Sequence, residues 1–137
     1  MLYSYSWIQE YIKGTLPKPD KLADLLNMHA FEVEEIRKRG KDTLLDIAVL
    51  PNRAHDCLSH MGMAREIAAI AKLKLIALKT KTLKAQKGRL ASLKVQIQTP
   101  DVPRYTALVV EDVTIKKSPK WLVDKLTALG LNSINNV

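Results

Sequence analysis

The chain has 137 residues and carries 22 Lys and Arg against 14 Asp and Glu, for a formal net charge of +8. With 47% hydrophobic and 26% charged residues it reads as a globular sequence, and that length suffices for one domain or two small ones. No apolar run approaches about 18 residues, so no membrane-spanning helix is expected. The start lacks the pattern of a secretory signal, and the single cysteine, Cys57, cannot form an intrachain disulfide, so a cytoplasmic location is expected.

Taken in order, Met1–Tyr5 alternates and predicts a short strand. Ser6 is positioned to cap a helix from Trp7 to about Ile12, ended by Gly14. Pro17–Asp20 is a turn, with Pro19 suited to the first position of a helix through Leu22, Leu25, Leu26 and Met28. Residues 30–36 alternate apolar with acidic, as a half-exposed strand does, and residues 37–42 form a short charged link containing Gly40.

Leu44–Leu50 is an aliphatic run that suits a buried strand, stopped by Pro51. Asp56 is read as the N-cap of a helix reaching about Lys72, with Leu58, Met61, Ala64, Ala68 and Ala71 on its apolar face. Gly62 and Ala69 give that helix a small-residue side for close approach by a second element. Residues 73–90 fit either a strand or an irregular link. Leu93–Gln98 alternates strictly and predicts a strand, followed by a turn at Thr99–Pro103 and another strand over Arg104–Val113. Ser118-Pro119 marks a helix start, Leu122, Leu126 and Leu129 its apolar face, and Gly130 its stop. Trp7 and Trp121 sit at apolar helical positions and are expected in the core. The last residues, Leu131–Val137, begin what reads as a further element, so the chain is expected to be a fragment of a longer protein.

Between Glu66 and Asp101 there is no acidic residue, while Lys72, Lys74, Lys79, Lys81, Lys84, Lys87, Arg89 and Lys94 all lie there. These residues account for the whole net charge. Two readings stand: contact with RNA phosphate, or a solvated surface whose lysines guard a strand edge. With no aromatic residue in that span, any RNA contact would be electrostatic and sequence-tolerant.

The densest polar stretch is Val49–Ile67. His55, Cys57 and His60 are close in sequence but lack a second ligand pair at zinc spacing. Cys57 with His60 could be a nucleophile and base, yet no orienting group is evident. No glycine-rich phosphate loop occurs, so nucleotide binding by this chain is not expected. Asn52, Arg53, Asp56 and Arg65 are read as the strand-to-helix turn, fixed by an ion-pair network of Arg53, Asp56, Arg65 and Glu66, with the alternative that these face a partner domain or RNA. Arg65 and Glu66 are adjacent on a helix, so at most one can face the turn.

Pro51-Asn-Arg-Ala-His-Asp-Cys-Leu-Ser59 with Gly62, Ala64, Arg65 and Glu66 resembles the Pro-Asn-Arg-x-Asp-Cys-Leu-Ser-x-x-Gly-x-Ala-Arg-Glu run of the bacterial phenylalanyl-tRNA synthetase beta subunit, with His55 as one extra residue. Ser4–Tyr11, Ala23–Glu35, Val102–Ala107, Ser118–Leu122 and Gly130–Val137 resemble that family in the same order. The resemblance implies an α+β chain: residues 1–75 as a small helical, winged-helix-like domain with short strands, 76–92 as a basic connecting segment, and 93–137 as the incomplete start of a mixed α/β editing domain. It implies a short form, because only residues 37–42 stand where many members insert an oligonucleotide-binding barrel. The implied parent reaction is ATP-dependent attachment of phenylalanine to its tRNA. The alpha subunit, the rest of the beta subunit and tRNA are the implied partners in a heterotetramer, and ATP and Mg2+ are implied for the full enzyme. No catalytic, cofactor or metal residue is carried onto this chain, since the family's catalytic site lies on the alpha subunit and its editing pocket and magnesium carboxylates lie further along. The rival reading is a stand-alone basic RNA-binding module without catalysis.

Overall fold

In a computed structural model, which describes residues 1–78, 93–107 and 109–137, the chain is a mixed α/β protein with small antiparallel sheets. β1 (Leu2–Ser4) leads directly into α1 (Tyr5–Gln9). Ser4 rather than Ser6 caps α1, its Oγ accepting from the Trp7 amide at 3.0 Å. A two-residue strand β2 (Ile12–Lys13) follows, and Gly14 leaves it at φ +100. Gln9 holds this corner together, its Nε2 donating to the Gly14 carbonyl and its Oε1 accepting from the Leu16 amide, each at 2.8 Å.

α2 (Pro19–His29) starts with the proline at its first position and buries Leu22, Ala23 and Leu26. β3 (Val33–Arg39) and β4 (Asp42–Ile47) form a hairpin whose last pair is Arg39 opposite Asp42. Gly40, at φ +61, takes the first of the two loop positions, which suits a tight turn matched to strand twist. β4 is the middle strand of the order β1-β4-β3, with Tyr3 opposite Leu45 and Ile36 opposite Leu45 on its other edge. That central place explains why β4 is mostly buried while β3 is mostly exposed.

Beyond β4, a 3-10 turn (Pro51–Arg53) runs into a single-turn helix α3 (Ala54–Cys57) and then α4 (His60–Ile70). α4 ends two residues short of Lys72. Lys72 adopts φ +54 just past the helix, and the Leu73 amide returns to the Ala68 carbonyl at 2.9 Å, a left-handed helix stop made without glycine. Part of the span that fits either strand or link is then a strand: β5 (Lys74–Leu75) pairs antiparallel with β2. The core is one cluster built from both sheets' neighbourhood, including Tyr3, Ile8, Leu22, Leu26, Phe31, Leu45, Ile47, Met63 and Ile67.

The second half departs from expectation. Neither Leu93–Gln98 nor the described part of Arg104–Val113 forms a strand. Alternation makes a strand possible, but a ladder needs a partner edge, and none of the described residues provides one. Leu93, Val95 and Ile97 accordingly remain exposed. α5 (Lys120–Ala128) forms where the sequence places it, with Pro119 as the N-cap. Ser118 does not cap it; its hydroxyl donates to the Asn135 carbonyl instead. Gly130 at φ +78 closes α5, with the Leu131 amide on the Leu126 carbonyl at 2.9 Å. The final residues fold back: Asn136 Oδ1 accepts from the Lys116 amide at 2.6 Å and its own amide donates to the Lys116 carbonyl at 3.1 Å. Trp121 is 62% exposed and is not a core residue, because α5 buries no side chain fully.

Gly62 carries a sharp steric requirement. A Cβ there would come within 1.7 Å of the Asp56 carbonyl oxygen, a backbone atom that cannot swing aside. Gly62→Ala should therefore destabilise the fold by about 1–3 kcal/mol despite the better helix propensity of alanine. Denaturant unfolding checks this, and a variant as stable as the parent would mean that α3 does not press on α4.

Candidate functional site

The Pro51–Glu66 turn contains the chain's most concentrated polar chemistry, and its centre is Arg53. Its Nε and Nη2 donate to the Asp56 carboxylate at 3.2, 3.1 and 2.8 Å, and Nη2 also donates to Glu66 Oε2 at 2.8 Å and to Cys57 Sγ at 3.3 Å. The guanidinium lies 5.2 Å from the Phe31 ring centroid, a cation–π distance. The hydrogen bonds that Arg53 donates to Asp56 and then to Glu66 strengthen its hold on the proton, and the bond from Arg53 holds the Asp56 carboxyl below its usual range. One guanidinium is thus matched by two carboxylates, which leaves little positive field for a phosphate and makes this a brace between α3 and α4.

Of the residues read as the turn and its ion-pair network, the structure brings Arg53, Asp56 and Glu66 together and leaves Arg65 out. Asn52 is exposed beside Arg53 without a hydrogen bond among the described residues, and Arg65 is exposed on the other side of α4. Asp56 is not the N-cap of the long helix: α3 intervenes, and Ser59 caps α4, its Oγ accepting from the Gly62 amide at 3.0 Å. The reason is local, because Arg53 occupies both Asp56 oxygens. The buried face of α4 consists of His60, Gly62, Met63, Ala64, Ile67 and Ala68, so Leu58 is exposed instead of lining it.

His55, Cys57 and His60 point to different environments. His55 is exposed. Cys57 is buried, and burial pushes its thiol up to about 11, against the pull of Arg53, so it is held as the thiol and not the nucleophilic thiolate. His60 is buried, with Nε2 accepting the Ser4 amide at 2.9 Å, so the ring's proton belongs on Nδ1. The imidazole stacks on Trp7 at 4.1 Å between centroids and meets the tilted Tyr3 ring at 5.4 Å. Burial, with the Lys125 ammonium second, lowers its pKa to about 4, and Asp42 and Glu10 oppose the shift only in part. Tyr3 completes the knot: its hydroxyl donates to the Cys57 carbonyl at 2.6 Å, and burial raises its pKa to about 12.

Asp42 is the residue the sequence reading missed. Its Oδ2 accepts from Ser4 Oγ at 2.5 Å, and its Oδ1 accepts from the Ser6 and Thr43 amides at 3.0 and 2.8 Å. Its only sequence signal is a carboxylate beside a glycine turn, which is common and does not indicate a partner so far along the chain. Lys72 and Lys74 lie at the exit of α4 and in β5, with Lys74 and Lys94 both exposed. Lys79, Lys81, Lys84, Lys87 and Arg89 lie outside the described residues. Among the described residues no helix is long and apolar enough to cross a membrane.

Comparison with known sequences places this arrangement. The chain is 39% identical over its whole length to the phenylalanine--tRNA ligase beta subunit of Rhodopirellula baltica. It is 41% identical over 89% of its length to that of Syntrophus aciditrophicus, and 42% identical over 93% to that of Chlorobium chlorochromatii. These relatives share one class by name, subunits of an aminoacyl-tRNA ligase. The chain belongs to the phenylalanine--tRNA ligase beta-subunit family. It spans 20%, 14% and 16% of the length of those relatives. No protein-family model matches it, and no solved structure matches it significantly.

Two outcomes follow from this geometry. Ser59→Ala should lower the unfolding free energy by about 1 kcal/mol, the usual loss of a helix cap, and unchanged denaturant unfolding would remove Ser59 from that role. His60 is bound neutral in the fold, so its contribution is complete above its unfolded value near 6.5 and is lost as pH falls toward about 4. The loss amounts to on the order of 3 kcal/mol. Subtracting the stability–pH curve of His60→Gln from that of the parent isolates this contribution from the carboxylates. A difference that stays flat between pH 7 and 4 would show that His60 is not held neutral.

Proposed function

We propose that the chain forms the N-terminal part of the beta subunit of a phenylalanine--tRNA ligase and serves it as a structural and subunit-contact element. The carrying observation is the match to relatives of that name across the whole chain. The whole enzyme would join phenylalanine to its tRNA at the expense of ATP, with Mg2+, in the cytoplasm, as a heterotetramer with the alpha subunit. In this reading residues 1–75 are a winged-helix-like scaffold, 76–92 a basic connection and 93–137 the start of the editing domain. Lys72, Lys74, Lys79, Lys81, Lys84, Lys87 and Arg89 would meet tRNA phosphates. Asn52, Arg53, Asp56 and Arg65 would belong to the turn that fixes the scaffold.

The braced turn supports a scaffold role over a catalytic one. Its guanidinium is neutralised by Asp56 and Glu66, its thiol is held protonated, and its histidine nitrogen is spent on a backbone amide. Each reactive group is thereby committed to holding elements together. The test is a segment exchange: the matching segment of the Rhodopirellula baltica beta subunit is replaced by this chain and the hybrid is combined with its alpha subunit. Assembly and phenylalanylation of tRNA at rates within about tenfold of the parent are expected. A hybrid that folds but neither assembles nor charges tRNA would defeat the proposal.

A further inference from the structure

The tip of the β3–β4 hairpin reads Arg37-Lys38-Arg39-Gly40-Lys41, and among the described residues only Arg37 of its cations is neutralised. Arg37 pairs with Glu35 at 2.5 Å and approaches Asp46 at 3.7 Å. Lys38, Arg39 and Lys41 have no carboxylate partner among the described residues and are exposed. Arg39 and Lys41 line an open cleft of about 300 Å³ between the hairpin, the start of α1 and α5. Ser6, Trp7 and Lys125 form its other polar and aromatic lining.

The cleft also contains two carboxylates, and both are already used. Asp42 accepts from Ser4 Oγ and from the Ser6 and Thr43 amides. Asp124 is paired with Lys120 at 2.7 Å. Asp42 keeps its charge on neutral donors and Asp124 is paired with Lys120, while the cations Lys38, Arg39 and Lys41 of the hairpin have no carboxylate partner among the described residues. Lys125 is held over the Trp7 ring at 4.7 Å and against Glu10 at 2.5 Å, which fixes the wall opposite the hairpin.

We infer that the hairpin tip and this cleft form a binding surface for an RNA phosphate backbone, with Lys38, Arg39 and Lys41 as its cationic contacts. The inference rests on the proposed tRNA-ligase reading for its choice of polyanion. The surface is distinct from the basic span at 72–94. The short hairpin fixes the backbone that carries these cations, so only their side chains are ordered when they meet phosphates. The contacts proposed are to phosphates, so binding should depend on salt and little on sequence.

The test measures tRNA binding by the full chain between about 50 and 200 mM salt, for the parent and for K38Q/R39Q/K41Q. Removing three phosphate contacts should lower the log–log salt slope by about 2–3 and weaken binding on the order of tenfold or more at low salt. K79Q/K81Q/K84Q/K87Q serves as a comparison that alters the basic span but leaves the hairpin intact. Circular dichroism confirms that both variants stay folded. In a Trp121→Phe background Trp7 is the remaining indole, and tRNA should change its fluorescence in the hairpin-intact protein. An unchanged slope and affinity in the hairpin variant, or a silent Trp7, overturns the inference. So does binding of polyglutamate in place of RNA, which would make the partner an acidic protein. Failure of the segment exchange leaves these RNA readouts untouched, so the two proposals fail separately.

Discussion

The fold depends on the hydrogen bond from the Ser4 amide to the buried His60 ring. β1 is only three residues long, and its last residue is also the cap of α1. An edge strand and a five-residue helix have little independent stability. Their junction is fixed because Ser4 is held from two directions, by the first residue of α4 through its amide and by the first residue of β4 through its hydroxyl. A neutral imidazole suits this position, since it accepts from an amide without introducing a buried charge, and its face packs on Trp7. The same stack positions Trp7 under Lys125, so the knot extends to α5.

The second brace, around Arg53, works by a different principle. A charged group at a strand-to-helix corner would be costly if left unmatched, and here two carboxylates, a sulfur and an aromatic face surround it. α3 is too short to stand alone, and it is held by Arg53 on one side and by contact with Gly62 on the other. The close approach at Gly62 accompanies a sharp turn at Ser59, the N-cap of α4, whose extended backbone has φ −149 and ψ 153.

Much of the first half was legible in the sequence. Pro19 at a helix start and the close approach at Gly62 follow local rules that the structure obeys, whereas the strand expected over Leu44–Leu50 ends at Ile47, the link expected over 37–42 shrinks to Gly40 and Lys41, and Ala69 is exposed. What was not legible were choices between equivalent donors and acceptors. Ser4 and Ser6 can each cap α1, and Asp56 and Ser59 can each cap α4. A distant residue decides the first, since Asp42 takes the Ser4 hydroxyl and the Ser6 amide, and a near one the second, since Arg53 takes the Asp56 carboxylate. The strand expected at Leu93–Gln98 fails for a related reason. Alternation specifies which face of a segment would be buried, but not what would bury it, and Leu93, Val95 and Ile97 meet no partner edge among the described residues.

The distribution of charge follows from where carboxylates are needed. Asp42, Asp46, Asp56 and Glu66 each tie one element to another, and Glu10 ties α1 to α5. Acidic side chains are short enough to reach backbone amides and to share a guanidinium, so the fold uses them as internal fasteners. The other described lysines are exposed, while Lys125 is drawn in against Glu10 and the Trp7 ring. With 22 basic residues and 14 acidic ones, committing the acids to structure leaves an excess of cations that the surface must carry. The excess is not uniform along the chain: it falls in the span between Glu66 and Asp101, which has no acidic residue. The net positive charge is set by composition, and the fold decides which of the cations are paired and which stay open to solvent.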